Sequence, residues 1–309
     1  MDLRIFTEPQ QGARYADLLA VALRSERLGF SGFFRSDHWS RIGEGDPGPG
    51  PSDAWTTLAG LARDTSTIRL GTMVTSATFR LPGPLAVSVA TVDDMSQGRV
   101  ELGIGAGWFE EEHSGYGVPF PATSERFDRL EEQLEVITGM WRTPEGRTFD
   151  FEGEHYRLVA SPALPKPVQS PAPPIIIGGF GARRTPSLVA RFASEYNVPF
   201  ADAGLTAELG HNVDAACEQI GRDPGEVLRS ACQVVCVSDD PATLARRAAS
   251  IGRDLDRDLR VNGIAGSVEE AREALGRFAD SGIQRVYLQF LTLGDPEHLD
   301  ELAQLLEHP

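Results

Sequence analysis

Three consecutive residues, Asp37, His38 and Trp39, place a carboxylate, an imidazole and an indole directly after the apolar run FSGFF. A strand that only filled a core would close in turn residues. Histidine titrates near neutrality, so His38 is a natural proton donor or acceptor, and Asp37 is the second candidate catalytic residue. A histidine tied to backbone for structure alone would show the same spacing; the strand-end position favours function. Metal ligation is the weaker reading. HxH and HExxH do not occur, and His113, His155, His211, His298 and His308 make no ligand spacing, so no metal is expected.

Three further segments end in residues of unusual chemistry. LGTMVTSATFR (70–80) closes in small and β-branched residues with Arg80 shortly after, which by spacing alone reads as a strand entering a polar loop. RVELGIGAGWFEEE (99–112) puts Gly103, Gly105 and Gly107 on one strand face, and Val100, Leu102 and Ile104 on the other. A face without side chains admits a flat ligand or satisfies close packing inside a barrel. Trp108 either stacks on a ring or covers the opening. PPIIIGGFGARR (173–184) runs through Gly178, Gly179, Phe180 and Gly181 into a helix opening on Arg183 and Arg184. Helix N-terminal amides with two guanidiniums form a phosphate cradle, and the glycine density favours this over surface arginines beside a tight turn. A large flat ring bearing a phosphate fits these features together. Glu110, Glu111 and Glu112 read as a solvated charge run.

The elements that must position these residues alternate along the chain. Strands are expected at 3–8, 32–38, 67–75, 99–107, 173–181, 193–200, 229–237 and 284–290. Helices are expected at 13–29, 52–64, 82–95, 124–141, 183–193, 205–221, 240–253, 267–281 and 295–307. Such alternation implies parallel strands with right-handed crossovers. Eight units fit a closed α/β TIM barrel, (β/α)8, better than an open doubly wound sheet. The first turn, FTEPQQGARY, also lacks the GxGxxG of a dinucleotide fold. The chain reads as a single domain over 1–309. TFDFEGEHYRLVA reads as a hairpin and SPALPKPVQSPAPP as a proline-rich return, an insertion over about 143–173 that covers one end of the barrel.

Composition sets outer bounds. The 309 residues are 41% hydrophobic and carry a net charge of −16, which argues against nucleic acid or anionic membrane as partner. Cys217, Cys232 and Cys236 lack metal or disulfide spacing and read as inert buried thiols. No basic segment leads an apolar run at the N-terminus, and no apolar run approaches the ~18 residues of a membrane span, so a cytoplasmic protein is expected.

The stretches GFFRSDHW, IRLGTMVTSATFRLPGPLA, DDMSQGRVELGIGAGWFEEEHSGYGVPFP, ERFDRLEEQLEVI, FEGEHYRL and PPIIIGGFGARRTPSLVARFASEYN together resemble the bacterial luciferase-like superfamily. Within it they are most similar to oxidoreductases that use the deazaflavin coenzyme F420. The resemblance is strong over 1–200 and continues in architecture beyond. It implies a homodimeric barrel that binds deazaflavin at its C-terminal mouth and transfers hydride to or from a small-molecule substrate. Asp37 and His38 match the pair near the ring. Met73 and Val74 match a non-prolyl cis peptide behind it. Gly105, Ala106 and Gly107 match a loop on the cofactor, and Gly178 and Gly179 a phosphate loop. Gly181, Trp108 and Arg183 complete the candidate cofactor-binding set. The sugar-phosphate dehydrogenase branch has a proton-transferring glutamate where this chain has Trp108. That departure argues against sugar-phosphate oxidation and leaves His38 as the one good acid–base candidate at the ring.

Two further readings stand beside the F420 oxidoreductase. One is an FMN-dependent monooxygenase supplied with reduced flavin by a partner reductase. The other is a cofactor-binding barrel without turnover, which the intact glycine loops and Asp–His pair disfavour. The substrate is not legible. Its pocket wall is expected from 39–52, a Gly/Pro-rich candidate lid, from 108–122 and from the 143–173 insertion.

Overall fold

The computed structural model describes residues 1–306; the expected helix end at Glu307 and His308 lie outside the described residues. In chain order the strands are β1 (Asp2–Thr7), β2 (Gly32–Arg35), β3 (Arg69–Thr72), β4 (Thr75–Ser76), β5 (Val100–Gly105), β6 (Phe149–Glu152), β7 (Arg157–Ser161), β8 (Ile175–Gly178), β9 (Glu195–Pro199), β10 (Leu228–Val237), β11 (Ile264–Gly266) and β12 (Arg285–Gln289). The helices are α1 (Tyr15–Leu28), α2 (Ala54–Asp64), α3 (Pro82–Ser96), α4 (Glu110–Tyr116), α5 (Thr123–Arg142), α6 (Arg184–Phe192), α7 (Ala203–Gln219), α8 (Pro241–Ser250), α9 (Arg260–Asn262), α10 (Val268–Asp280) and α11 (Pro296–Ala303).

Strands β1, β2, β3, β5, β8, β9, β10 and β12 pair in parallel in that order, and β12 returns to β1. This is the eight-stranded TIM barrel that the alternation predicts. Strands β4 and β11 and helices α4 and α9 were not anticipated; each is short, and β4 and β11 only extend the edges of β5 and β10.

The period-two pattern sorts the strand residues into two environments. Leu3, Ile5, Phe33, Leu102, Ile104, Ile175 and Ile177 join the shell between strands and helices. Phe6, Phe34, Ile176, Cys232 and Tyr287 form an apolar layer inside the barrel. Below that layer, at the N-terminal ends of the strands, lies a buried ion network. Glu101 accepts from Arg4 at 2.8 Å and also pairs with Arg69, while Arg285 pairs with Glu195 and, at 2.6 Å, with Asp2. Arg4 also lies over the Phe34 and Tyr287 rings at 5.2 and 5.8 Å, tying the ionic layer to the apolar one. The barrel bottom is therefore closed by this network, and the large cavity lies at the C-terminal end.

The 143–173 insertion departs from expectation in position. The hairpin β6–β7 forms, but it packs on the flank of α5, where Glu132 accepts the backbone N–H groups of Glu154, His155 and Tyr156. The proline-rich return reaches the closed end: Val168 and Gln169 donate their N–H groups to Asp93, and Gln169 also bonds Val100 O and Arg69. No residue of the insertion lines the cavity. Its hydrogen bonds go to the C-terminal end of α3 and the first residues of β3 and β5, and these place it away from the mouth. The three thiols are buried and unpaired, as expected. Among the described residues no helix is long and apolar enough to cross a membrane.

Two outcomes test this architecture. Glu101→Leu leaves the part-exposed Asp2 as the carboxylate paired with Arg4, and should cost about 3–5 kcal/mol in urea denaturation. The double variant Arg4→Met/Glu101→Leu should recover a large part of that loss. The second concerns His298, whose Nε2 accepts the Val237 N–H at 3.0 Å, so that the neutral ring carries its proton on Nδ1, facing Thr292 Oγ1 at 2.7 Å. Burial, then the charge of Arg247, pull its pKa from 6.5 down to about 3. The unfolded chain takes up this proton first, so the stability from neutral His298 is present above about pH 6.5 and drains away towards pH 3. Thermal midpoints should fall between pH 7 and pH 4, and fall less in His298→Gln.

Candidate active site

The cavity at the C-terminal mouth measures about 1360 Å3. Strand ends from around the barrel contribute to it, which explains why residues far apart in sequence meet there.

Asp37, His38 and Trp39 diverge in role because consecutive extended residues face different ways. Asp37 is buried and fully engaged: it accepts from Thr75 Oγ1 at 2.9 Å and from both terminal nitrogens of Arg80. Arg80 also pairs with Asp53, the residue that caps α2 by accepting the Thr56 N–H at 2.8 Å. Asp37 is thus an anchor between β2, the β3–β4 segment and α2, and it also lines the cavity. Arg80, read from spacing as an ordinary loop residue, is the other half of that anchor. Trp39 turns from the cavity and stacks on Phe79, with ring centroids 4.2 Å apart.

His38 lines the cavity. Its Nδ1 lies 3.0 and 3.1 Å from the two oxygens of Glu112, leaving Nε2 available to a bound molecule. Burial alone would lower its pKa. The hydrogen bond and charge of Glu112, followed by the charges of Glu8 and Asp37, outweigh burial and raise it. Glu112 is only 1% exposed, whereas Glu110 and Glu111 are exposed, so the expected solvated run holds for two of the three. Glu8 was also missed. It follows β1 at the mouth, lies 3.5 Å from Gln11 Nε2, and enclosure pushes its carboxyl up despite the nearby His38. His38 is therefore not the sole acid–base candidate: two carboxylates flank it.

The β3–β4 segment carries the Met73–Val74 peptide in the cis form, and both residues line the cavity. The glycine face of β5 serves this segment first. A β-carbon at Gly103 would stand 2.0 Å from Thr72 O, and one at Gly107, where φ is +80°, 2.2 Å from Ser76 Oγ. At Gly103 close packing is the whole reason. Gly105, Ala106 and Gly107 additionally leave bare backbone on the cavity wall, with Trp108 62% exposed at the rim.

Gly178, Gly179 and Gly181 also line the cavity, with Thr185 behind them. Gly179 adopts φ +135°, and its carbonyl accepts the Tyr196 hydroxyl at 2.8 Å, which fixes the turn. The arginines do not join. Arg183 is exposed and stands outside the wall, and Arg184 is held by Asp128 at 2.7 Å and by Glu131 on α5. The acidic face of α5 captures Arg184, so the cavity wall at this loop is backbone and Thr185 rather than guanidinium. Among the described residues, no three His, Cys, Asp or Glu side chains are grouped to hold a metal.

Comparison with known proteins bears on this arrangement. The chain is 32% identical over 221 residues to an F420-dependent glucose-6-phosphate dehydrogenase of Segniliparus rotundus, 68% of this chain and 62% of the relative. An uncharacterized protein of Mycobacterium tuberculosis is 37% identical over 141 residues, 46% of this chain and 48% of its own length. The matched stretches span 47% to 62% of the curated relatives, about half their length for most. An F420-dependent secondary alcohol dehydrogenase in complex with an F420–acetone adduct has a TM-score of 0.83 at 19% identity, over 98% of this chain and 97% of that one. The monooxygenase RslO1 of Streptomyces bottropensis has a TM-score of 0.79 at 21% identity, over 99% and 98%. These two show likeness of fold. The family model described as luciferase-like monooxygenase matches residues 1–305, and with the barrel and its mouth arranged as above, the chain belongs to that family.

Proposed function

We propose that this enzyme is an F420-dependent oxidoreductase that moves a hydride between the deazaflavin and a small organic substrate. The observation that carries the reading is His38, polarised by Glu112, in one cavity with the Met73–Val74 segment and two bare glycine loops. Curated relatives named for F420 dependence support the choice of cofactor.

The residues present fit such a group. At about 1360 Å3 the cavity exceeds the ~300–1,000 Å3 usual for a single small ligand, leaving room for substrate beside a cofactor. Met73, Val74, Gly105, Ala106 and Gly107 would hold the flat ring, and Gly178, Gly179 and Gly181 the phosphate. The deazaflavin, when bound, supplies the carbon that gives or accepts hydride. The protein supplies position and protons. With Nδ1 committed to Glu112, His38 exchanges its proton through Nε2, donating to a carbonyl oxygen undergoing reduction or accepting from an alcohol undergoing oxidation. Trp108 carries no acid–base group at the rim, so a substrate other than a sugar phosphate is part of this reading.

A second reading, an FMN-dependent monooxygenase, is supported by a fold neighbour in complex with FMN, a type II Baeyer–Villiger monooxygenase from Pseudomonas putida with a TM-score of 0.75 at 18% identity. Against it stands the lack of guanidinium at the glycine loop, where a phosphate monoester dianion would be held.

Titration of the purified protein with F420 and with FMN, followed by fluorescence, separates the two. The expected outcome is saturable F420 binding at least tenfold tighter than FMN; tight FMN binding without F420 binding overturns the proposal. His38→Ala should bind the cofactor within about threefold of wild type, yet reduce turnover of a panel of small alcohols and ketones roughly 10²–10⁴-fold. Turnover equal to wild type would remove His38 from the mechanism.

A further inference from the structure

We propose that Glu112 is a positioning residue for proton transfer: it fixes His38 in the Nδ1–H tautomer and holds the ring against the cavity with Nε2 free. This rests on the reading of His38 as the acid–base group, and three features of the structure carry it.

The first is enclosure and geometry. Glu112 is almost wholly buried, and both its oxygens approach His38 Nδ1 within hydrogen-bond distance, at 3.0 and 3.1 Å. A carboxylate can only accept, so the proton between them belongs to Nδ1, and the neutral ring keeps a free lone pair on Nε2. Deprotonation of the imidazolium therefore occurs at Nε2, the nitrogen left to the cavity. The proton given to a substrate oxygen leaves from there and returns there, while the Nδ1 proton stays on the ring, donated to Glu112 throughout.

The second is the way the carboxylate itself is held. One oxygen accepts the backbone N–H of Trp39 at 2.8 Å, so Glu112 grips the residue after His38 as well as its ring. The Trp108 and Phe109 rings meet the imidazole edge-on at 5.7 and 6.1 Å. Rotation of His38 is thus blocked by residues 108–112 of a single segment, the one that continues from Gly105, Ala106 and Gly107. Whatever orders that loop also orders the histidine.

The third is the charge around the ring. Glu112 faces it from α4 and Glu8 from the end of β1. Asp37 is the neighbour in the chain, but its charge is answered by Arg80. Glu8 in turn feels Arg253 and donation from Gln11. Glu112 alone among these both touches the imidazole and has no cation of its own among the described residues.

The test uses the full chain without cofactor, so that its outcome is independent of which flavin binds. Histidine side-chain NMR is recorded against pH in wild type, Glu112→Gln and Glu112→Asp, with His38 assigned from the spectrum of His38→Gln. In wild type the neutral His38 should show the nitrogen shifts of the Nδ1–H tautomer. Glu112→Gln retains an acceptor for Trp39 N–H and should lower the His38 pKa by about one unit or more, the size expected for loss of an adjacent buried charge. Glu112→Asp should recover at least half of that shift. In the F420-loaded enzyme the limb of the kcat–pH profile assigned to His38 should move by the same amount in each variant.

A His38 pKa in Glu112→Gln within about 0.2 unit of wild type, or a wild-type Nε2–H tautomer, overturns the proposal. If Glu112→Gln does not fold, the wild-type tautomer decides alone: Nδ1–H on the neutral ring supports the role and Nε2–H sinks it. Should F420 fail to bind while the pKa shift appears, the cofactor reading falls and the dyad stands; should F420 bind without the shift, the reverse holds.

Discussion

Close approach of the Thr72 carbonyl to Gly103, where a β-carbon would stand only 2.0 Å away, is the constraint around which the mouth of this barrel is built. Strand β3 breaks after Thr72 and resumes two residues later as β4, still paired with β5. Glycine at 103 admits the break, glycine at 105 lets Val74 lie against the strand, and glycine at 107 makes room for Ser76. From the far side Asp37 and Arg80 tie the same segment to β2 and α2, with Thr75 bonded to Asp37 and receiving Trp55 Nε1 at 3.2 Å. The candidate ring-binding surface is therefore held by packing on one side and by a buried ion pair on the other. Neither support belongs to the chemistry, yet both decide where the chemistry can happen.

The barrel was legible because its signal is repeated: each of eight strands alternates between two buried environments, and each is followed by a helix with its own apolar stripe. The exceptions are local. Strand β11 has three residues, too few to show a period. The insertion was recognised as a hairpin with a proline-rich return, but nothing in its composition says which end of a barrel it covers. That is settled by Glu132, Asp93 and Gln169, hydrogen-bonding residues whose partners lie 22 to 100 positions away.

The site was legible in part for the same reason. Asp37–His38 and the glycine loops lie at strand ends, where position itself is informative. Both polar neighbours line the cavity, but that Asp37 is taken up by Arg80 while His38 keeps a free ring nitrogen is something sequence spacing cannot assign. Glu112 was hidden in a run of three glutamates. On a helix consecutive side chains are about 100° apart, so a run that looks uniformly solvated must present one member inward once the helix packs. The usable signal was His113 beside it: two polar residues at the inward positions of a short helix next to a glycine loop. Glu8 offered no signal beyond its place after the first strand. Arg184 points away from the glycine loop because the acidic face of α5 competes for it, and that competition is visible only after folding.

The rim residue Trp108 has a consequence of an optical kind. Of the chain's four tryptophans, Trp55 and Trp141 are buried in the helical shell, and Trp39 is stacked on Phe79. Trp108 alone is largely exposed, one residue beyond the glycine loop and 5.7 Å from His38. Its emission should start from a solvated, red-shifted baseline, and whatever settles on the loop or changes the charge of the imidazole acts on that one indole. The protein thus carries its own reporter at the mouth, and the three quieter tryptophans supply the background against which it is read.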